Sequence, residues 1–408
     1  MNNLRSHKSS LLSYFLIFIA ILMSSRCWIG FEGRNTAYFY ILPIMLLFLV
    51  VIQYFRLKPQ RRYFVFALLI YIVKLYLMYN VRGQLDILGI INQSVLPITI
   101  YLILCMIDSD KESFLYYLVK WFGLLLIPGI IIYVATFFVE LPHLGIIQTH
   151  YGGDFYGEPC YNYLFYLKPV TLGATGMFRF NGPFIEPGDL GCISAFCLYA
   201  TKFDFKKYKY LWVILVALLC SFSLAGYLLT LFGYAANLVA NDKLSITKWL
   251  VGLIAVISII KFGEYYNGGN NYINNSILSR LQDDEMSITS SNGRLSQDKM
   301  EFFYYMFNDP NVLWFGYDKA TVQQLNDEGV GAGFYNQMLS IGLFGVILSI
   351  LPFLYFAFSS NTKKYSVLFF VFVILYAYQR FDLFWISILL IYTYGISINE
   401  YNHRICRK

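Results

Sequence analysis

The chain has 408 residues, of which 58% are hydrophobic and only 13% are charged. A soluble domain carries about 25% charged residues, so this composition excludes an ordinary soluble enzyme and indicates lipid as the solvent for most of the chain. The apolar content also excludes a disordered chain. The net charge of +7 comes from short basic clusters between apolar runs, not from a basic stripe, so no nucleic-acid partner is expected.

Twelve apolar runs predict an all-α, polytopic integral membrane protein with about 12 transmembrane helices. The runs lie at about residues 11–25, 37–55, 63–79, 87–107, 115–139, 188–201, 210–222, 223–240, 246–262, 336–358, 365–379 and 382–398. No small-residue cleavage site follows the first run, so we expect it to remain as a membrane helix. The seventh and eighth runs turn over between Ser221 and Ser223 and predict a tight helical hairpin.

The distribution of charge predicts the orientation of the chain. With the N-terminus inside, 18 of the 31 Lys and Arg residues and only six of the 24 acidic residues fall on the inner side. This is the bias that the positive-inside rule describes, and it places both termini in the cytoplasm. The predicted divisions are 1–139 (five helices), 140–187 (a long outside loop), 188–262 (four helices), 263–335 (a second long outside loop with a surface helix) and 336–408 (three helices and a cytoplasmic tail).

The first long loop ends in a bent motif with charged residues at the outer membrane surface. Arg179 opens the motif, and Glu186 and Asp189 follow two Gly and Pro pairs that prevent a continuous helix. A guanidinium held on such a rigid backbone can bind a phosphate with two parallel hydrogen bonds. The alternative is an arginine that pairs with Glu186 or Asp189 and serves as an anchor.

The second long loop contains a predicted amphipathic helix. Asn292 is a plausible N-cap and Asp309, before a proline, is a plausible stop. Four apolar residues recur at helical spacing and predict a face on the outer membrane surface: Leu295, Phe302, Phe303 and Met306. Arg294 lies in the first turn, where a bound anion would compensate its unfavourable position on the helix dipole. The alternative is an exposed arginine beside Asp298.

Taken in chain order, five motifs between about residues 180 and 345 resemble the O-antigen polymerase (Wzy) and O-antigen ligase superfamily. They are Arg179 to Pro187, Ser221-x-Ser223, Asn292-Gly293-Arg294, Leu313 to Tyr317, and Asn336 before Ile341 to Gly345. The resemblance implies a bacterial inner-membrane glycosyltransferase that moves a glycan from undecaprenyl diphosphate to a sugar hydroxyl on the periplasmic side. It implies no metal, nucleotide sugar or other cofactor.

The resemblance also implies roles for individual residues. Arg179 and Arg294 match the loop arginines that handle the diphosphate, and Glu186 matches an acidic position of the same motif; these three are the candidate catalytic residues. The candidate substrate-binding residues are Asn181, Asp189, Asn292 and Asn336. The implied partners are undecaprenyl-diphosphate-linked oligosaccharides and the lipid membrane, with a chain-length regulator protein as a further candidate.

Three functions remain open on the sequence. A polymerase would extend a lipid-linked polysaccharide, a ligase would transfer the glycan to lipid A core, and a flippase would move the lipid-linked unit without chemistry. The ligase branch has a histidine just before the asparagine that opens the helix after the second loop, and here that position is Tyr335. This departure favours the polymerase. The two long loops argue against a flippase.

Overall fold

The computed structural model describes residues 11–12, 14–19, 21–22, 27, 57–82, 86–148, 159–170, 178–241, 261, 297–327, 333–381 and 383–406. This part of the chain is mostly helical and includes four helices that are long and apolar enough to cross a membrane. The candidate spans are Arg61–Asn80, Ile87–Leu104, Asp108–Ala135 and Gly333–Phe358. Each is close to or above the roughly 20 residues that a hydrocarbon core about 30 Å thick requires.

Three helices precede the first long loop and follow the predicted runs. They are α1 (Arg61–Arg82), α2 (Ile87–Leu104) and α3 (Asp108–Ala135). Asp86 caps α2, because its carboxylate accepts a hydrogen bond from the backbone N–H of Gly89 at 3.2 Å. Helical residues also occur within 11–22, where the first apolar run predicts a helix.

The first long loop contains a small antiparallel sheet, an addition to a structure that is otherwise helical in its described part. The strands β1 (Ile146–Gln148), β2 (Pro159–Asn162) and β3 (Leu167–Pro169) pair in that order. The register places Cys160 of β2 opposite Ile147 of β1. Strands of three and four residues are too short to show an alternating pattern, which is why the sequence did not predict them.

Three helices follow the motif of the first loop, as predicted. They are α4 (Pro187–Ala200), α5 (Leu211–Cys220) and α6 (Leu224–Ala240). Every residue of α4 is buried, because the helix packs against α5, α6 and a later helix, α12 (Ile386–Cys406). Ser223 caps α6 by accepting a hydrogen bond from the backbone N–H of Gly226 at 3.2 Å.

The second long loop leads through short helices into a long one. These are α7 (Gln297–Tyr305), a 3-10 turn (Met306–Asn308), α8 (Pro310–Phe315), α9 (Lys319–Asp327) and α10 (Gly333–Phe358). Asp309 stops the preceding helix, as predicted, and caps α8 by accepting a hydrogen bond from the backbone N–H of Asn311 at 2.9 Å.

The apolar face that was predicted to lie on the membrane surface is covered by protein. Met306 is fully buried, and Phe302 and Phe303 pack with it against residues of α10. The hydroxyl of Tyr317 donates a hydrogen bond to the carbonyl of Phe302 at 2.8 Å. A helix is therefore observed over Gln297–Tyr305, and the described residues of its apolar face pack on α10. The position of this helix at the outer membrane surface stays a prediction. Periodicity identifies an apolar face but not what covers it.

The last two helices close the bundle. α11 (Lys363–Gln379) packs against α6 and α10, while α12 packs against α3 and α4. Near the end of α12, Glu400 pairs with Arg62 of α1 at 2.6 Å and accepts a hydrogen bond from the backbone N–H of Asn361 at 3.0 Å. This ion pair lies at the end of the bundle that the charge bias places inside.

Several predictions fall on residues outside the described part. These are the runs at 37–55 and 246–262, and the candidate residues Asn292 and Arg294. The total of about twelve spans, the divisions of the chain and the orientation of the termini therefore stay predictions.

Candidate functional site

A buried guanidinium joins the motif of the first loop to the end of α11. Arg380 is the C-cap of α11, and its two terminal nitrogens bind the carboxylates of Glu186 and Asp189. The Arg380 and Glu186 side chains are each 10% exposed, and Asp189 is completely buried. Residues almost 200 positions apart in the sequence therefore form one charged cluster, which we call the Arg380 cluster: Glu186, Asp189 and Arg380.

The start of α4 explains why both carboxylates can lie here. Glu186 is the N-cap and Pro187 occupies the first turn, where its missing N–H has no intrahelical partner to lose. Asp189 is in the same turn, where the positive end of the helix dipole stabilises a negative charge. Burial alone would lower the pKa of the Arg380 guanidinium, but the carboxylates of Asp189 and Glu186 outweigh burial and raise that pKa well above its usual value.

Two glycines make room for the Arg380 cluster. A Cβ on Gly188 would collide with the guanidinium, with the central carbon of Arg380 only 3.1 Å away. A Cβ on Gly333, the first residue of α10, would lie 2.6 Å from the backbone nitrogen of Phe381 and 2.8 Å from the Cα of Arg380. The beginning of α4, the end of α11 and the beginning of α10 therefore meet around one arginine.

Arg179 contacts the turn between α5 and α6. Its Nε donates a hydrogen bond to the backbone carbonyl of Ser221 at 3.0 Å, and the side chain is half-buried. Ser221 opens the turn between α5 and α6, and a Cβ on Gly191 would lie 3.3 Å from the Ser221 hydroxyl oxygen. Gly191 is two residues after Asp189. The structure thus brings the predicted arginine and the serine motif to the first turns of the helix that carries the acids.

Asn181 is buried and has bonded backbone partners at both ends of its amide. Its Oδ1 accepts a hydrogen bond from the backbone N–H of Leu167 at 3.3 Å, and its Nδ2 lies 3.5 Å from the carbonyl oxygen of Ile185. These contacts tie strand β3 to the bent motif. Asn181 holds the motif in shape in this structure, and its role in binding substrate stays a prediction.

Asn336 has a cationic neighbour that the sequence analysis did not select. The ammonium of Lys299 lies 3.5 Å from the Asn336 Oδ1, and Lys299 is completely buried. Asn336 is three residues after Gly333, so Lys299 lies near the part of α10 that borders the Arg380 cluster. The structure thereby supplies a further cation from the second loop on the same side of the bundle.

Both missed residues left a signal in the sequence. Arg380 is a basic residue between two apolar runs, in a turn that the charge bias predicts to be outside, where Lys and Arg are disfavoured. Lys299 precedes Phe302, Phe303 and Met306 by three, four and seven residues, so it belongs to their apolar face. A charged residue on an apolar helix face indicates a specific partner, because burial of an unpaired charge is costly.

The Arg380 cluster is suited to fixing a backbone more than to accepting a proton. Pairing with a guanidinium favours the charged form of a carboxylate and so weakens its affinity for a proton. Among the described residues, no group of three or more His, Cys, Asp or Glu side chains is arranged to hold a metal ion.

Comparison with protein-family profiles, curated proteins and solved structures found no match for this chain.

Proposed function

We propose that this chain is a bacterial inner-membrane glycosyltransferase that polymerises undecaprenyl-diphosphate-linked glycan on the periplasmic side, as the resemblance to O-antigen polymerases implies. The proposal includes about twelve spans, two long periplasmic loops and cytoplasmic termini. Its coarse support is the set of apolar helices, which indicate a lipid environment. A reaction in the aqueous phase would then take place on the two loops and at the helix ends that border them.

The observation that carries the proposal is the meeting of the predicted motifs around the Arg380 cluster. Glu186 and Asp189 from the first loop motif bind Arg380, whose backbone touches Gly333 at the start of α10. Arg179 binds the serine turn that packs against α4. The first-loop motif thus contacts the serine turn and also Arg380, which borders the start of α10, and this proximity supports the proposal.

The proposed reaction inverts the configuration at an anomeric carbon. The hydroxyl of the acceptor sugar attacks that carbon, the bond to the diphosphate oxygen breaks, and the lipid diphosphate leaves with the bonding electrons. Negative charge grows on the leaving group, and fixed guanidiniums next to dry lipid stabilise it. Removal of one such donor typically costs about 3–4 kcal/mol, or roughly 10²–10³ in rate. Arg179 and Arg294 are the proposed donors, and Lys299 is a further one.

The hydroxyl proton needs an acceptor, for which Glu186 is the first candidate and Asp189 the second. Both carboxylates are engaged by the Arg380 guanidinium, so the proposal gives them first a positioning role in holding the bent motif. Glu186→Gln and Glu186→Asp separate the two roles. A base requires a carboxylate at that position, whereas positioning also depends on the length of the side chain.

Tyr335 favours a polymerase over a ligase. Its ring is 9% exposed and packs edge-on against Phe303 of α7, with the ring centroids 4.8 Å apart. A phenol does not exchange protons near neutral pH as an imidazole does, so this residue is a poor substitute for a histidine at this position. The tyrosine therefore supports the packing of the second loop on α10.

Deletion of the gene followed by electrophoresis of the lipopolysaccharide tests the proposed function. A polymerase predicts lipid A core that carries a single repeat unit, and complementation should restore the ladder of long chains. Bare core with accumulated lipid-linked polymer would instead identify a ligase. Loss of all lipid-linked repeats on the outer face would identify a flippase.

A further inference from the structure

The kink in α10 and the short helix α8 contain two of the motifs that carry the resemblance, but they have no role in the proposed reaction. We propose that α8 inserts as a wedge into one leaflet of the bilayer, with Trp314 and Phe315 in contact with the acyl chains. The occupant of this surface is bilayer hydrocarbon. The proposal needs only the membrane position of α10, so it stands or falls separately from glycan transfer.

The first observation is a break in the backbone of α10. Gly342 has φ 64° and ψ −177°, which interrupts the helix inside a candidate membrane span. Carbonyl groups freed at such a break need partners, because hydrocarbon offers no hydrogen bonds. The Leu339 carbonyl accepts from the backbone N–H of Tyr317 at 2.8 Å, and the Ile341 carbonyl accepts from the Tyr76 hydroxyl at 3.2 Å.

The second observation is backbone contact between α8 and this break. Gly316, which ends α8, has φ 83°, and a Cβ there would lie 2.7 Å from the carbonyl carbon of Ser340. A Cβ on Gly342 would in turn collide with the backbone of Trp314 and lie 2.5 Å from the nitrogen of Phe315. Two glycines at positive φ therefore allow α8 to lie directly on the kink, and any side chain at either position would separate them.

The third observation fixes the depth of α8. Tyr76 belongs to the apolar span of α1, Arg61–Asn80. Its ring packs edge-on against Phe344 with the centroids 5.3 Å apart, and Phe315 lies 6.1 Å from the same Phe344 ring. The tip of α8 is therefore level with residues inside the apolar span, while Asp309 at its beginning is exposed.

The fourth observation is a continuous exposed apolar band. Trp314 is 45% exposed and Phe315 is 56% exposed. The helix α8 that carries them contains no charged residue. The band continues along the outer side of α10 through Phe344, Ile347 and Leu351, which recur at helical spacing and are also exposed. An apolar band of a membrane helix that protein does not cover faces lipid, and α8 extends that band. The apolar face of α7, by contrast, is already buried against α10.

Quenching of tryptophan fluorescence by brominated lipid tests the wedge. The full chain is reconstituted in two kinds of phosphatidylcholine vesicle, one with bromines at the middle of one acyl chain and one without bromine. The emission spectrum of Trp314→Phe is subtracted from that of the unchanged protein, which leaves the emission of Trp314. The Trp314 component should lose most of its intensity in brominated vesicles and resist aqueous iodide. The component that Trp385→Phe removes is the matched control, since Trp385 packs partly buried against the core, and it should be quenched less.

Two results would overturn the proposal. Quenching of the Trp314 component by iodide but not by brominated lipid would place α8 in water. Protection from both quenchers, with crosslinking between chains at position 314, would identify a second copy of the chain as the occupant. Gly316→Ala and Gly342→Ala provide an independent check: each should reduce quenching by brominated lipid in protein that still elutes as a single species on size exclusion.

Discussion

The guanidinium of Arg380 lies in the space that a Cβ on Gly188 would occupy. Gly188 is the second residue of α4, between the two acids that Arg380 binds. An arginine at the end of one helix thus requires a glycine at the start of another, almost 200 residues earlier. This relationship explains the Pro-Gly pair of the bent motif. Proline begins the helix, and the glycine leaves room for the Arg380 guanidinium that the acids on either side of the pair bind.

Gly188→Ala should therefore displace Arg380 from at least one of its carboxylates. The end of an arginine side chain moves cheaply when it is free, but here two ionic contacts hold it. We expect the variant to insert in the membrane and to lose long polymer on lipopolysaccharide electrophoresis. Gly233→Ala is the control, because its Cβ would meet Phe372 and Tyr199 at 3.2 and 3.3 Å, away from the cluster. Equal polymer from the Gly188 and Gly233 variants would contradict the expected displacement.

Removal of Arg380 should destabilise the protein more than neutralisation of the whole cluster. Arg380→Met leaves two carboxylates buried without their cation, and loss of one partner of a buried pair costs about 3–5 kcal/mol. The triple variant with Glu186→Gln and Asp189→Asn should recover most of that loss. Denaturation in mixed micelles measures both free energies of unfolding.

The ion pair between Arg62 and Glu400, near the end of α12, provides a control that distinguishes a loss of stability from a loss of function. Arg62→Met breaks the pair with Glu400, so it should also lower the free energy of unfolding. Each variant is then compared for polymer per amount of folded protein. We expect normal polymer from Arg62→Met and none from either Arg380 variant. Full polymer from the triple variant would show that the Arg380 cluster only supports the fold.

The sequence predicts the helices of this protein well because hydrophobic length is a property of adjacent residues. The run at 63–79 corresponds to α1, and the run at 365–379 corresponds to α11. The break at Gly342 was not predicted, since a glycine within a long apolar run has no local consequence until another backbone packs on it. The strands of the first loop were not predicted for the same reason, because each strand pairs with a segment that is brought beside it only when the loop folds back.

The candidate site was predicted only in part, for a related reason. Glu186 and Asp189 belong to one motif and could be selected together, but their partner Arg380 depends on the packing of α11 beside α4. No local pattern determines which turn of one helix lies beside another. The position of Lys299 can be predicted from the sequence, because its spacing from Phe302 and Met306 places it on the same helix face. The spacing places Lys299 on the apolar face, but the neighbour of its ammonium, Asn336, is determined by the packing of α7 on α10.

Lys299→Met tests the additional cation. Methionine keeps much of the length and apolar volume of lysine, so the fold should tolerate it, while the ammonium near the Asn336 amide is lost. If Lys299 stabilises the leaving diphosphate, polymer formation should fall by roughly 10²–10³ at unchanged protein level. Lys209→Met, at an exposed position on the predicted inner side, is the matched control and should have no effect. Normal chain length in the Lys299 variant would assign this lysine to packing.

The last prediction concerns the two arginines of the long loops. Arg179 is anchored through Nε to the carbonyl of Ser221, and Arg294 lies outside the described residues. If both bind one diphosphate, Arg179→Ala and Arg294→Ala should each leave lipopolysaccharide with a single repeat, although the protein still inserts and accumulates. The double variant should lose less than the sum of the two single losses, because both residues act on one leaving group. Arg179→Lys should restore little, since lysine keeps the charge but has neither the Nε contact nor the planar fork. Long polymer from either alanine variant at a normal protein level would make that arginine a surface anchor and remove the shared diphosphate from the proposal.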